Sequence, residues 1–174
     1  MKKIAVIYKS KYGATKQYAE WIAETLEASL FEVSNIKSSQ LMDYDIVIYG
    51  GGLYADGIND IKFVTKTPYK SLIVFTVGIF DPQTSDYSAV LSKNFTPEEL
   101  SKIKIFHLRG NIDYEKLSMI HKGMVAVIKK LAEKKSPAER TSDDQFILET
   151  YGKKVDFIDK STIATLVEYV CMQK

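Results

Sequence analysis

Cysteine is almost missing from this chain, and the single one, Cys171, excludes an internal disulfide and fits a reducing compartment. It sits in an apolar stretch near the C-terminus, which predicts a buried structural thiol. An excess of charge of one sign is missing too. The 24 basic and 22 acidic residues leave a net charge of +2, too little to indicate a nucleic-acid partner. No apolar run is long enough to span a bilayer. Lys2 and Lys3 precede an apolar run at 4–8, but Lys9 and Lys11 end it before it reaches the length of a signal peptide's core. A cytoplasmic location is expected. Histidine is scarce: His107 and His121 have no second ligand at metal spacing, so no metal site is expected, and both are read as packing or surface residues. No serine or cysteine triad can be assembled, and no catalytic acid or base is assigned. Repeats, low-complexity tracts and linkers are absent.

What remains is a composition that is 45% hydrophobic over 174 residues, enough for one domain spanning 1–174. Five short apolar runs carry strand character: residues 3–8 (KIAVIY), 30–36, 45–49 (DIVIY), 71–77 (SLIVFTV) and 103–108 (IKIFHL). Residues 15–26 repeat their apolar side chains at helical spacing through Tyr18, Ala19, Ile22 and Leu26, with Trp21 packing beside that face. A weaker helical pattern covers 58–65, and Pro97 with Glu98 and Glu99 suits a helix start. Residues 151–159 are read as a short edge element and 161–172 as a closing helix. Near-continuous apolar strands mean burial on both faces, hence a parallel sheet with helices on each side. The expected fold is therefore α/β, a doubly wound five-stranded parallel sheet in which ligands sit beyond the strand carboxyl ends.

Three loops leave those ends. The first, residues 9–15 (KSKYGAT), offers the hydroxyls of Ser10 and Thr15, a turn at Gly13 and the N–H groups of a helix start, a phosphate-binding combination. Its plainer reading is a strand-to-helix turn with Thr15 as N-cap. It matches neither G-x-x-x-x-G-K-[ST] nor G-x-G-x-x-G, so nucleoside triphosphates and NAD lose support. The second, residues 50–57 (GGGLYADG), follows the third strand at once. Its glycines allow positive φ and close approach to a flat ligand, Tyr54 supplies a ring face, and Asp56–Gly57 is a turn dipeptide. The third, residues 76–87 (TVGIFDPQTSDY), can present backbone groups to a ring edge, with either Phe80 or Tyr87 packing on the ring.

The order and spacing of these loops resemble the flavodoxin family. Ser10, Lys11, Tyr12, Gly13, Ala14 and Thr15 resemble its phosphate loop, T/S-x-T-G-x-T, with Tyr12 standing where a hydroxyl residue is usual. Gly51, Gly52, Leu53 and Tyr54 resemble the second loop, and Gly57 with Asp56 lies where a peptide would meet flavin N5. Thr76, Val77, Gly78, Phe80 and Asp81, with the later Tyr87, are similar to the third. The resemblance implies FMN as cofactor, electron transfer as activity, a redox protein or a quinone as partner, and the strand order 2-1-3-4-5.

After the fifth strand, residues 108–114 (LRGNIDY) and an extended helical segment at about 109–135 look like the flavodoxin-type protoporphyrinogen IX dehydrogenases. That closer likeness implies an FMN enzyme using a quinone acceptor. Leu117, Ile120, Met124, Val127 or Ile128, and Leu131 form one apolar stripe there, expected to pack inward. Lys122, Lys129, Lys130, Lys134 and Lys135 cover the remainder. The basic helix 117–135 is read as either a solvated face or a platform for an anionic partner, propionate groups of a small-molecule substrate or a membrane surface. Residues 141–144 (TSDD) read as a solvated turn. Two other classes fit a domain of this size: a phosphoacceptor receiver, disfavoured because Tyr49-Gly50 and Lys9-Ser10 replace the acidic residues it needs, and a scaffold without flavin.

Overall fold

The computed structural model describes residues 2–55 and 57–173, and the chain divides into two compact units. The first holds Met1–Gly78, Tyr87–Leu108 and Asp159–Lys174; the second holds Ile79–Asp86 and Arg109–Ile158. In chain order the elements begin with β1 (Ile4–Lys9), α1 (Ala14–Leu26), β2 (Ser29–Glu32), β3 (Ile46–Tyr54), β4 (Gly57–Ile58) and α2 (Lys62–Thr65). They continue with β5 (Leu72–Gly78), α3 (Ser88–Asn94), α4 (Pro97–Lys102), β6 (Lys104–Arg109) and β7 (Asn111–Asp113). The last are α5 (Met119–Lys134), α6 (Ser142–Thr150), β8 (Lys154–Asp156) and α7 (Ala164–Cys171).

In the first unit β1 pairs in parallel with β2 and β3, and β3 in parallel with β5. With β6 the order is β2-β1-β3-β5-β6, the doubly wound arrangement expected. The near-continuous apolar runs fit such a sheet, because alternate residues of one strand are buried on opposite sides. Ala5, Ile7, Val47, Tyr49, Leu72, Val74 and Ile103 share one core cluster with Ile58, Ile61 and Val64. The intervening Val6, Ile46, Ile48, Ile73 and Phe75 are equally buried. Helix α1 lies against β1 and β3, burying the expected Tyr18, Ala19, Ile22 and Leu26. Trp21 packs edge-on to Tyr18 at 5.7 Å, and the Tyr18 hydroxyl accepts the Asp159 N–H at 3.1 Å ahead of α7.

Several expectations shift. The third strand does not stop at Tyr49 but runs through the glycines to Tyr54 and folds back as β4. Residues 58–65 are not one helix: Ile58 is in β4, Asp60 takes a positive φ of 52°, and only Lys62–Thr65 is helical. Residues 141–144 are no solvated turn. Thr141 caps α6, with the Thr141 hydroxyl accepting the Asp144 N–H at 3.2 Å. Cys171 is exposed, because α7 turns Leu166 and Val170 inward instead.

The second unit has its own two-stranded sheet of β7 and β8, antiparallel, with α5 packed on α6. Residues 151–159, expected to give a short edge element, contribute β8, which pairs with β7 in this separate sheet. Most of the apolar stripe does not pack inward: Ile120, Val127 and Leu131 are exposed, Leu117 and Met124 are half-buried, and Ala132 is the residue of α5 that is buried. Among the described residues no helix is long and apolar enough to cross a membrane.

Gly50 marks the tightest point of the sheet. A Cβ there would stand 2.1 Å from Cζ of Phe75, which is fully buried. Gly50→Ala is expected to lower stability by about 1–3 kcal/mol, the cost of overpacking a filled core. Adding Phe75→Leu should recover part of that loss in urea unfolding, and simple additivity of the two losses would refute the contact as the cause.

Candidate functional site

Register alone gathers the loop ends of the first unit. Lys9, the last residue of β1, lies beside Gly51 of β3. Gly51 in turn lies beside Thr76 of β5, and Gly52 beside Val77. The three carboxyl ends from which a doubly wound sheet presents a ligand therefore finish side by side.

The first loop turns at Gly13, whose φ of 99° is a left-handed conformation that favours glycine. The Gly13 N–H donates to Ser10 Oγ at 3.1 Å. Gly13, not Thr15, is the N-cap of α1, and Thr15 is buried in its first turn. No side chain caps this helix end and no acidic residue stands in its first turn. The N–H groups of that turn and the partial positive charge of the helix end thus face no competing carboxylate of their own turn. Lys11 holds its ammonium 5.7 Å from the centre of the Tyr12 ring. Such a turn fits a phosphate group. Tyr12 also meets Tyr54 edge-on, with ring centres 6.2 Å apart, and so joins the first loop to the second.

In the second loop the positive φ expected of the glycines is not found at Gly50, Gly51 or Gly52. Side chains of the protein fill the space beside two of them: Phe75 at Gly50, and Ile58, whose Cγ2 would lie 2.6 Å from a Cβ on Gly51. A Cβ on Gly52 would lie 3.0 Å from the Tyr54 ring, and one on Gly78 3.0 Å from Leu53 Cδ1. The glycines let β3 pack, and the group left at its end is Tyr54. Burial, with Tyr12 nearby, pushes the Tyr54 phenol up to about 12, so it is a neutral ring face. The hairpin carrying it is held from α3, where Lys93 donates to the Ala55 carbonyl at 3.0 Å and Asn94 Oδ1 accepts the Ile58 N–H at 3.1 Å. Asp56 lies outside the described residues.

The third loop is divided. Thr76 is fully buried and shares a hydrogen bond of 2.6 Å with His107 Nδ1. Tyr87, at the start of α3, lies flat on the His107 ring, 3.7 Å between centres and 9° between planes. Val77 is buried and Gly78 ends the strand. Phe80 and Asp81 belong to the second unit. There Phe80 packs edge-on to Phe146 at 6.0 Å. Asp81 accepts the Gln83 N–H at 2.9 Å and pairs with Arg109 at 3.9 Å. Arg109 donates to the Ile79 carbonyl at 3.1 Å and stacks 3.6 Å over Phe157, so its side chain braces this loop.

His107, expected only as a packing or surface residue, is the partner of the buried Thr76. The signal for it was the strand alternation: it follows Ile103 and Ile105 by twos, as Thr76 follows Leu72 and Val74. Both are polar residues ending an apolar row. Lys93 and Asn94 had no sequence signal, since their role depends on where β4 folds back.

The model of a family described as flavodoxin domain matches residues 5–139. Solved structures similar to the chain include a flavodoxin, WrbA-like protein from Agrobacterium tumefaciens, at 25% identity and TM-score 0.38 over 48% of this chain. The chain spans 64% of that protein's length. An oxidised Flavodoxin 2 from Bacillus cereus is 17% identical with TM-score 0.46, covering 62% of this chain and 84% of its own. A flavoprotein in complex with FMN from Lactobacillus acidophilus is 14% identical with TM-score 0.42, covering 63% and 93%. None of these three reaches a TM-score of 0.5, so membership rests on the family match. No curated protein matches the chain.

Burial lowers the His107 imidazole from 6.5 to about 4. A base depressed on folding binds its proton more readily in the unfolded chain, so its contribution is intact above pH 6.5 and is lost as pH falls through 4. The melting temperature of the native chain is expected to fall more steeply between pH 6.5 and 4 than that of His107→Gln. Parallel pH profiles in calorimetry would show that the imidazole is not the group responsible.

Proposed function

The chain belongs to the flavodoxin domain family, and on that premise we propose that its first unit holds FMN at the ends of β1, β3 and β5 and passes electrons through it. The observation carrying the proposal is the register that puts Lys9, Gly51 and Thr76 next to one another. Ser10, Lys11, Tyr12, Gly13, Ala14 and Thr15 take the phosphate, through the Thr15 hydroxyl and the N–H groups of an α1 end that no side chain caps. Gly51, Gly52, Leu53, Tyr54 and Gly57 line one side of the ring, with the neutral Tyr54 phenol as its aromatic cover. Thr76, Val77 and Gly78 offer backbone groups to the ring edge, and Tyr87 is the aromatic residue of the third loop that belongs to this unit. Phe80 and Asp81, the remaining third-loop residues of the resemblance, lie in the second unit.

Bound FMN supplies reversible uptake and release of electrons; the protein orients it, shields it and sets its potential through stacking and hydrogen bonds. The partner is a redox protein or a quinone. A second reading rests on residues 109–158 forming an ordered unit of helices and a small sheet. In it the chain is an enzyme similar to the flavodoxin-type protoporphyrinogen IX dehydrogenases, oxidising a porphyrinogen and returning the electrons to a quinone. Anaerobic turnover of protoporphyrinogen with menaquinone by the FMN-loaded protein separates the two readings, and no turnover leaves the carrier.

Titration of the purified protein with FMN tests the site directly. Saturable uptake with a flavin absorbance band is expected, and failure to take up FMN refutes the proposal. Thr15→Val should weaken FMN about ten-fold or more and riboflavin little, because a hydrogen bond to a charged group is worth about 1.5–3 kcal/mol. Equal losses for both ligands would place the phosphate elsewhere.

A further inference from the structure

A helix on the surface of a folded unit normally turns its apolar stripe inward, and α5 does not. Ile120, Val127 and Leu131, spaced by seven and four, share one face and are 75%, 57% and 56% exposed. Met119, at the start of the helix, is 82% exposed. The packed face is another: Ala132 is fully buried, and Lys129 reaches over the Tyr151 ring at 5.1 Å. The Lys135 ammonium beyond it donates to the Asp144 carboxylate of α6 at 2.6 Å. That ion pair holds Asp144 below the usual carboxylate range. The helix is therefore anchored by its lysine side, and its stripe is left to solvent. Of the nine large apolar side chains exposed among the described residues, five are Met119, Ile120, Val127, Ile128 and Leu131 of this helix.

Charge follows the same segment. Residues 116–135 carry six lysines against one glutamate, Glu133, which is taken by Lys129. Since the whole chain is only +2, the rest of it is net acidic. Lys130 and Lys134 are exposed along the border of the stripe, and Lys116 just before the helix is exposed as well, 3.8 Å from the Asp113 carboxylate.

We propose that α5 is a membrane-docking helix that lies flat on an anionic bilayer. Met119, Ile120, Val127 and Leu131 enter the boundary between headgroups and acyl chains, and Lys116, Lys130 and Lys134 meet the lipid phosphates. Its 16 residues make a rod about 24 Å long, suited to lying in the interface, and no described helix can cross a membrane. Charge complementarity selects this occupant. A second copy would set one lysine-rich face against another, and like charges repel. Nucleic acid has no use for an aliphatic stripe. A protein groove is usually anchored by tryptophan, tyrosine or arginine, and the exposed face of α5 has none of these. Aliphatic side chains bordered by lysine are what a charged lipid surface takes up.

Co-sedimentation of the full chain with vesicles of phosphatidylglycerol and phosphatidylcholine, read by protein in the pellet, tests the proposal. It needs no bound flavin, so its outcome is separate from that of the FMN titration. Binding to the mixed vesicles and weak binding to pure phosphatidylcholine are expected, with release as salt is raised. Lys130→Gln and Lys134→Gln should each lower partitioning roughly five-fold. Ile120→Asp with Leu131→Asp should abolish it while the circular dichroism and melting of the protein stay as in the native chain. The proposal is overturned if the native chain ignores anionic vesicles, if the double aspartate variant binds like the native chain, or if sedimentation equilibrium shows a dimer that the double variant dissolves.

Discussion

A parallel strand buried on both faces has no place for a polar side chain until it reaches its carboxyl end, and that constraint orders the whole first unit. β1 stays apolar until Lys9, and β5 until Thr76. Because the register sets Lys9, Gly51 and Thr76 side by side, the polar ends arrive together without any side chain having to bring them. The consequences spread from there. Thr76 is fully buried, so its hydroxyl must find a partner inside the protein. That partner is His107 on β6, and burial keeps the imidazole neutral. A neutral imidazole is a flat, uncharged surface, and Tyr87 lies on it. One strand pairing thus fixes a threonine, a histidine and the resting place of the aromatic side chain beside the loop ends.

The glycines teach a narrower point. A run of three after a buried strand marks a place where something comes close, and the sequence does not say what. At Gly50 the close group is the Phe75 ring, and at Gly51 it is the Ile58 side chain. Both belong to the core, so these two positions serve stability first. Gly13 is different. Nothing lies within 4 Å of a Cβ built there, and glycine is favoured at this turn because φ is positive. The one glycine of the site with open space around it is also the one at the helix end suited to an anion.

The parallel strands and the buried face of α1 were legible because each depends on local apolar pattern, whereas the strand order was implied by the resemblance to the flavodoxin family. The boundaries that failed depended on distant residues. The third strand runs past its apolar stretch because β4 folds back on it, and β4 exists because Asn94, 36 residues on, captures the Ile58 N–H. Residues 141–144 looked like a solvated turn because serine and aspartates are polar, yet Thr141 and Asp144 there form a capping box whose carboxylate also receives Lys135. Of the candidate site, the positions of the loops at the strand ends could be read from residue type and spacing. The roles of His107, Lys93 and Arg109 could not, since each acts on a residue at least 30 positions away.

The stripe of α5 failed for another reason: periodicity reports that a helix has an apolar face but not which neighbour covers it. Here the covering role falls to Ala132, a small residue whose burial lets the two helices meet, while the larger side chains look outward. A cluster of that kind in water is costly to keep unless it has a second environment. The lysines beside it decide which environment. In a chain otherwise net acidic, a local excess of five positive charges gives a field with direction, so that approach to a negative surface is favoured with this segment foremost and disfavoured in other orientations. Steering of this kind acts before any apolar contact forms and fades within a Debye length of the surface, about 8 Å at physiological salt. Orientation is then set by charge and retention by the aliphatic stripe, two contributions that different residues of one helix supply.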